Sequence, residues 1–97
     1  MKVIWSEKAI DQIRLYAQLI QNDKPMAASK WIRSIMAKDK EIEEFPMLGR
    51  VVPEFNKTSV RECIFGSHRI IYRINETDIL IVTVEHSKKL LDIEIEG

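Results

Sequence analysis

Residues 60–86 read VRECIF-GS-HRIIYRI-NET-DILIVTVEH, and they decide the fold. Three runs rich in β-branched and aromatic residues, 60–65, 68–74 and 78–86, are separated by Gly66-Ser67 and Asn75-Glu76-Thr77. Breaks this short, rich in turn-forming residues, join strands as hairpins, so the three runs are predicted to be antiparallel neighbours. Side chains alternate across a strand. On the middle run His68, Ile70, Tyr72 and Ile74 are therefore assigned to a core, with Arg69, Ile71 and Arg73 opposite. On the last run Leu80, Val82 and Val84 are assigned to the core, and Ile79, Ile81, Thr83 and Glu85 point away. Arg61 and Phe65 share a parity and are expected to join the outward set.

Working back from this block, the period changes from two to that of a helix. Phe45-Pro46-Met47-Leu48-Gly49-Arg50 ends a helical stretch, because proline cannot continue it and glycine supplies a turn. Residues 50–59 are expected to be a loop. Upstream, Ala28, Trp31, Ile32, Ile35, Met36 and Ile42 recur at helical spacing behind Pro25, which suits a first helical turn. Ile10, Ile13, Ala17 and Ile20 form another stripe that starts after the capping residue Ser6 and runs to about Gln21. Lys2 to Trp5 is predicted to be a short strand. The order is β-α-α-β-β-β, an α+β domain in which a two-helix hairpin packs on one face of an antiparallel sheet. Residues 87–97 are left as a helix turn or a strand, and the alternation from Asp92 to Glu96 favours the strand.

One domain of 97 residues, 1–97, follows from the length, and 45% hydrophobic residues supply a core. No apolar run is long enough to span a bilayer, and the start of the chain lacks the apolar centre of a signal peptide. With one cysteine, Cys63, no internal disulfide forms, which fits a reducing cytoplasm. Fifteen basic residues balance fifteen acidic ones. Nucleic-acid binders generally carry a basic surplus, so the balance points away from a protein that grasps phosphate broadly. The histidines and the cysteine are too widely spaced for a metal motif, and no glycine-rich phosphate loop exists. Neither a metal nor a cofactor is expected.

The outward residues Arg61, Phe65, Arg69, Ile71, Arg73, Ile79 and Ile81 would make a mixed basic and apolar binding surface. The plainer reading pairs the strand arginines with Glu62, Glu76 or Glu85 in ordinary salt bridges.

The chain resembles the RelE/ParE superfamily of toxins from type II toxin–antitoxin systems, the plasmid-stabilisation type. The resemblance is carried by Val3-Ile4-Trp5-Ser6, by Phe45 to Arg50, by Val60-Arg61-Glu62 with Gly66 to Ile74, and by Ile79 to His86. It implies two helices against a curved sheet, and a cognate antitoxin whose disordered arm wraps the toxin in a hetero-oligomer. ParE-like members inhibit DNA gyrase. RelE-like members are metal-independent endoribonucleases that cut messenger RNA on the ribosome. For the nuclease, the resemblance puts Arg61 and Arg69 on phosphate, with His86 or Lys88 nearby as acid, base or charge donor, and Lys89 beside them. Apart from the resemblance, Glu54 in the long loop is a further candidate base, the plainer reading of its place after Pro53 being a solvated loop. Family nucleases often carry a tyrosine in the tail, and no tyrosine follows Tyr72 here. Neutral charge and that missing tyrosine favour the gyrase-directed growth inhibitor. The alternatives are the ribonuclease and a relic that only binds its antitoxin. His68, Trp5 and Trp31 are read as core or turn residues.

Overall fold

The structure, a computed structural model, describes residues 1–91. The chain runs through strand β1 (Lys2–Trp5), helices α1 (Glu7–Asp23), α2 (Ala28–Met36) and α3 (Lys38–Glu44), and strands β2 (Arg50–Val51), β3 (Val60–Phe65), β4 (His68–Ile74) and β5 (Asp78–His86). The strands form one sheet in the order β1-β5-β4-β3-β2. The consecutive strands β2 to β5 are antiparallel, as their short connections require. Gly66 takes φ of 59° between β3 and β4, and Ser67 does not share it, the pattern of a type II′ hairpin turn. β1 differs and lies parallel to β5, with Val3 opposite Ile79 and Trp5 opposite Ile81. The α+β architecture agrees with the sequence, but the sheet is mixed.

The helices differ from expectation in detail. Pro25 lies in a turn and α2 begins at Ala28; the long second helix divides at Ala37 into α2 and α3. Ala28, Ile35 and Ile42 nevertheless stay buried at seven-residue spacing across the division, so one apolar stripe serves both helices. Within 50–59 the first two residues form β2. Ser87 to Leu91 is turn and irregular chain rather than helix or strand, and Asp92 to Gly97 lies outside the described residues.

The main core lies between the helices and one face of the sheet. Ala9, Ile13, Ile35 and Ile42 meet Ile70, Tyr72, Ile79, Ile81 and Val84 there, with Trp5, Trp31 and Phe65 at its margin. The placement of Ile79 and Ile81 corrects the sequence reading, which pointed them outward. The cause is a bulge: Ile71 pairs with Thr83 but Tyr72 pairs with Ile81, leaving Val82 as an extra residue. Alternation changes phase there, so Ile79 and Ile81 share the helix face with Val84, while Leu80 and Val82 are partly exposed. Phe65 is corrected too, because it packs against this same core.

The face away from the helices is not open either. Val52 and Val60 join Ile71 in a second small core, with Phe55 and Leu91 packed on it. The loop after β2 and the C-terminal stretch thus cover the far face where an exposed surface was expected.

At the sheet's other end, α1 guards the part of β5 beyond β1. Ser6 Oγ caps the helix by accepting from the Ala9 N–H (2.9 Å) and donates to the Val82 carbonyl (2.6 Å). Gln12 donates to the Val84 carbonyl at 3.4 Å, and the Tyr16 hydroxyl accepts from the His86 N–H at 3.1 Å. Helix side chains therefore complete hydrogen bonds that a sixth strand would otherwise make.

Tyr72 ties the sheet to the 45–49 loop. Its buried hydroxyl accepts from the Gly49 N–H (2.9 Å) and donates to the Pro46 carbonyl (2.7 Å). Gly49 is required by close approach, since a Cβ there would lie 2.5 Å from the Glu62 carbonyl oxygen and 2.6 Å from the tyrosine oxygen. Replacing Tyr72 by Phe leaves both loop groups unpaired and is expected to cost about 1–3 kcal/mol, read from urea unfolding. An unchanged midpoint would show that the hydroxyl does not hold the loop.

Candidate functional site

Arg69 enters the far face of the sheet from β4 and is only 5% exposed. A guanidinium has five N–H donors, and a buried one needs partners for them. Here each is taken. Nε and one Nη2 donor go to Glu62 Oε2; the other Nη2 donor reaches Glu54 Oε1 at 2.9 Å. Nη1 donates to Glu54 Oε2 (2.9 Å) and to the Lys89 carbonyl (3.3 Å).

The acids come from different elements. Glu62, 1% exposed, lies on β3, where alternation puts it on the same face as Arg69. Glu54 comes from the loop after β2. Glu62 Oε1 also accepts from Arg50 Nε at 2.5 Å, and Glu54 Oε2 accepts from the Leu91 N–H at 3.2 Å. Two arginines and two glutamates thus join three strands, the loop and the C-terminal stretch. The hydrogen bond from Arg69, first among its causes, lowers the Glu54 carboxyl to about 2. Such a carboxylate is a poor proton acceptor at neutral pH. Beside the network lies a cleft of about 530 Å³, lined by Arg50, Pro53, Glu54, Ile64, Arg69, Ser87 and Leu90.

The other residues singled out in the sequence do not gather there. Arg61 has the opposite parity to Glu62; its Nε donates to the Thr58 carbonyl (3.0 Å) and its Nη1 to the Gly49 carbonyl (2.9 Å). Arg73 shares the Arg69 face but is placed at the far end of β4, where its Nε donates to Asn75 Oδ1 at 3.0 Å. Ile71 is on the expected face and fully buried. His86 is on the helix face. Its ring lies 5.7 Å from that of His68, which makes edge contacts with Tyr16 (4.6 Å) and Trp31 (5.2 Å). Burial first, and then His86, pushes the His68 imidazole below its ordinary range. Lys88 is exposed, and its N–H donates to His86 Nδ1 at 3.2 Å.

Hence Arg69 and His86 occupy opposite faces of the sheet, and Arg61 is held by loop carbonyls. The exposed basic and apolar surface is corrected to a buried ionic network, a second core and a half-covered margin. The salt-bridge reading named one true partner, Glu62. Glu54 and Arg50 were not legible as partners, since both arrive from segments without a period. Among the described residues no group of three histidine, cysteine or acidic side chains is arranged to hold a metal. No helix of the described chain is long and apolar enough to cross a membrane.

Two outcomes are expected. Arg69→Ala strands Glu62 in a dry site with only Arg50 beside it, and should cost about 3–5 kcal/mol in denaturant unfolding. A loss below about 1 kcal/mol would mean that the site is wet and the pair weak. The lowered Glu54 value makes its contribution present above the ordinary 4.5 and withdrawn as pH falls from there to about 2. Acid titration of the native protein and of Glu54→Gln should therefore show a stability gap at neutral pH that closes across that window.

Comparison with known proteins agrees with this fold. No curated protein matches the chain in sequence. Among solved structures, the chromosomal ParDE toxin–antitoxin system from P. aeruginosa contains a chain with the same fold, at a TM-score of 0.77 and 18% identity, covering 91% of this chain and 97% of that one. A chain of the RelBE2 toxin–antitoxin complex from Mycobacterium tuberculosis aligns at a TM-score of 0.61 and 16% identity, covering 88% and 95%. The sequence profile of the ParE toxin of type II toxin–antitoxin system, parDE, matches residues 3–91, and the chain belongs to that family.

Proposed function

We propose that this ParE-type toxin inhibits growth by binding a protein target, DNA gyrase, in the cytoplasm, and that a cognate antitoxin neutralises it. The observation that carries the reading is the saturation of Arg69. Metal-free cleavage of RNA needs a cation free to meet the charge that develops on phosphorus, with an acid and a base beside it. All five Arg69 donors are engaged by protein groups, and His86 is on the opposite face. A protein-binding inhibitor needs none of that set. It needs apolar area at its surface, and Leu15 (53%), Leu19 (56%) and Met26 (93%) on and beside α1 remain exposed, as do Phe45 (57%), Met47 (64%) and Leu48 (54%). Such patches also suit an antitoxin arm that folds on contact, since an ordering segment covers a large area around a small domain. The fold neighbours named above come from toxin–antitoxin systems, which supports the second partner.

The test is expression of the chain alone, followed by assays on purified protein. Growth should stop, gyrase supercoiling should be inhibited, and messenger RNA in a translating extract should stay intact. Co-expression of the neighbouring antitoxin gene should restore growth. Codon-spaced cleavage that is lost in Arg69→Ala would replace this reading with the ribosome-dependent nuclease. The absence of any growth defect would leave a relic that binds its antitoxin.

A further inference from the structure

Among the described residues the hydrogen-bonding edge of β3 is unfinished. Val60 gives its carbonyl to the Val52 N–H (3.1 Å), and Glu62 pairs with Arg50 on the same side. In an antiparallel ladder every second residue turns its N–H and C=O to the same neighbour, so Ile64 faces that side too. β2 does not reach it. The chain turns away at Gly49, whose N–H is drawn to Tyr72 at 2.9 Å. Ile64 is thus left beyond the last pair of β2, and the residue is 53% exposed. Natural sheets commonly blunt such an edge with lysine, proline or a bulge. This one presents Cys63, Ile64 and Phe65.

Two clefts flank the gap, one on each face of the sheet, and Arg50 and Ile64 line both. The cleft of about 530 Å³ opens toward Arg69, and a second of about 390 Å³ opens toward Lys38, Leu48 and Cys63. Successive side chains of an extended strand point to opposite faces, so a segment beside Ile64 would send alternate side chains into each. The chemistry differs between them. In the first cleft the oxygens of Glu54 and Glu62 are all engaged, and among the described residues Arg50, its side chain 67% exposed, donates through Nε alone. Arg50 therefore offers a partner its remaining guanidinium donors. In the second, Lys38 is paired with Glu41 at 2.7 Å, which leaves Leu48 and Cys63 as the apolar wall.

We propose that the open edge of β3 at Ile64 binds an extended segment of a partner protein by strand addition, with an acidic side chain on Arg50 and an alternate apolar side chain against Leu48. Main-chain bonds to Ile64 supply the strand pairing, and the two clefts supply the choice of sequence. The site is independent of which macromolecule the toxin inhibits.

The probe is a capped Val-Glu-Val-Glu-Val peptide added to the full-length chain, with Val-Lys-Val-Lys-Val as the control. The Ile64 amide should exchange freely in the chain alone and slow by about tenfold or more with the acidic peptide only. Ile64→Pro removes a donor that faces outward and leaves the bonds to β4 in place, so it should stay folded and weaken binding by about tenfold. Arg50→Glu should abolish the preference for the acidic peptide; if the proline variant fails to fold, this one and Ile64→Lys decide. An Ile64 amide already protected in the free chain would mean that the edge is filled from within, and would overturn the proposal. So would an acidic peptide that leaves the exchange unchanged, or equal binding of both peptides.

Discussion

The far half of the molecule depends on one buried guanidinium. Arg69 bonds Glu62 on β3, Glu54 in the loop after β2 and the Lys89 carbonyl in the C-terminal stretch, while Glu54 also holds the Leu91 N–H. Those bonds bring Phe55 and Leu91 down on Val52, Val60 and Ile71, a core too small to fix its own covering. A buried ion pair adds little net stability over an apolar substitute of equal volume, but it tolerates the loss of neither partner. Its effect here is to specify one arrangement of loop and tail. Arg69 is also the residue that the resemblance would put on phosphate, and all five of its donors are engaged by protein groups.

The sequence carried most of the fold because its short-range signals are strong. The bounds of β1, β3, β4 and β5 follow from runs of strand-forming residues between tight turns, and the start of α1 follows from Ser6. What was not legible depends on distance or phase. The parallel pairing of β1 with β5 joins segments more than seventy residues apart, with no local signal for it. In β5 the run from Ile79 to Val84 is apolar at every position but Thr83, so parity had no polar residue before the bulge at Val82 to anchor it, and the bulge passed unseen. On β4 the two flanking arginines fixed the phase, and its faces are as the alternation predicts.

The site was legible only in part for a related reason. Parity put Arg69 on the side away from the helices correctly, and the pairing with Glu62 follows from two adjacent strands. Whether that side is wet or covered is decided by residues 52–58 and 87–91, which have no period to read. Loops are placed by tertiary contacts, so their carboxylates cannot be assigned to partners from spacing alone. Glu54, read as a candidate loop base, is bonded to Arg69 and to the Leu91 N–H.

The same principle of tethering governs the loop between α3 and β2. Tyr72 is fully buried, and its hydroxyl fixes Pro46 and Gly49 while Phe45, Met47 and Leu48 remain more than half exposed around them. Apolar side chains on a mobile loop would lose much of their binding energy to ordering; held by a core tyrosine, they lose less. By drawing Gly49 inward, the tyrosine also stops β2 at Arg50 and leaves Ile64 without a strand neighbour among the described residues. One buried hydroxyl thus shapes an exposed apolar loop and an open strand edge at once. Both lie around the end of β2, apart from the edge that α1 closes with Ser6, Gln12 and Tyr16. The molecule protects one edge of its sheet and leaves the other ready to pair.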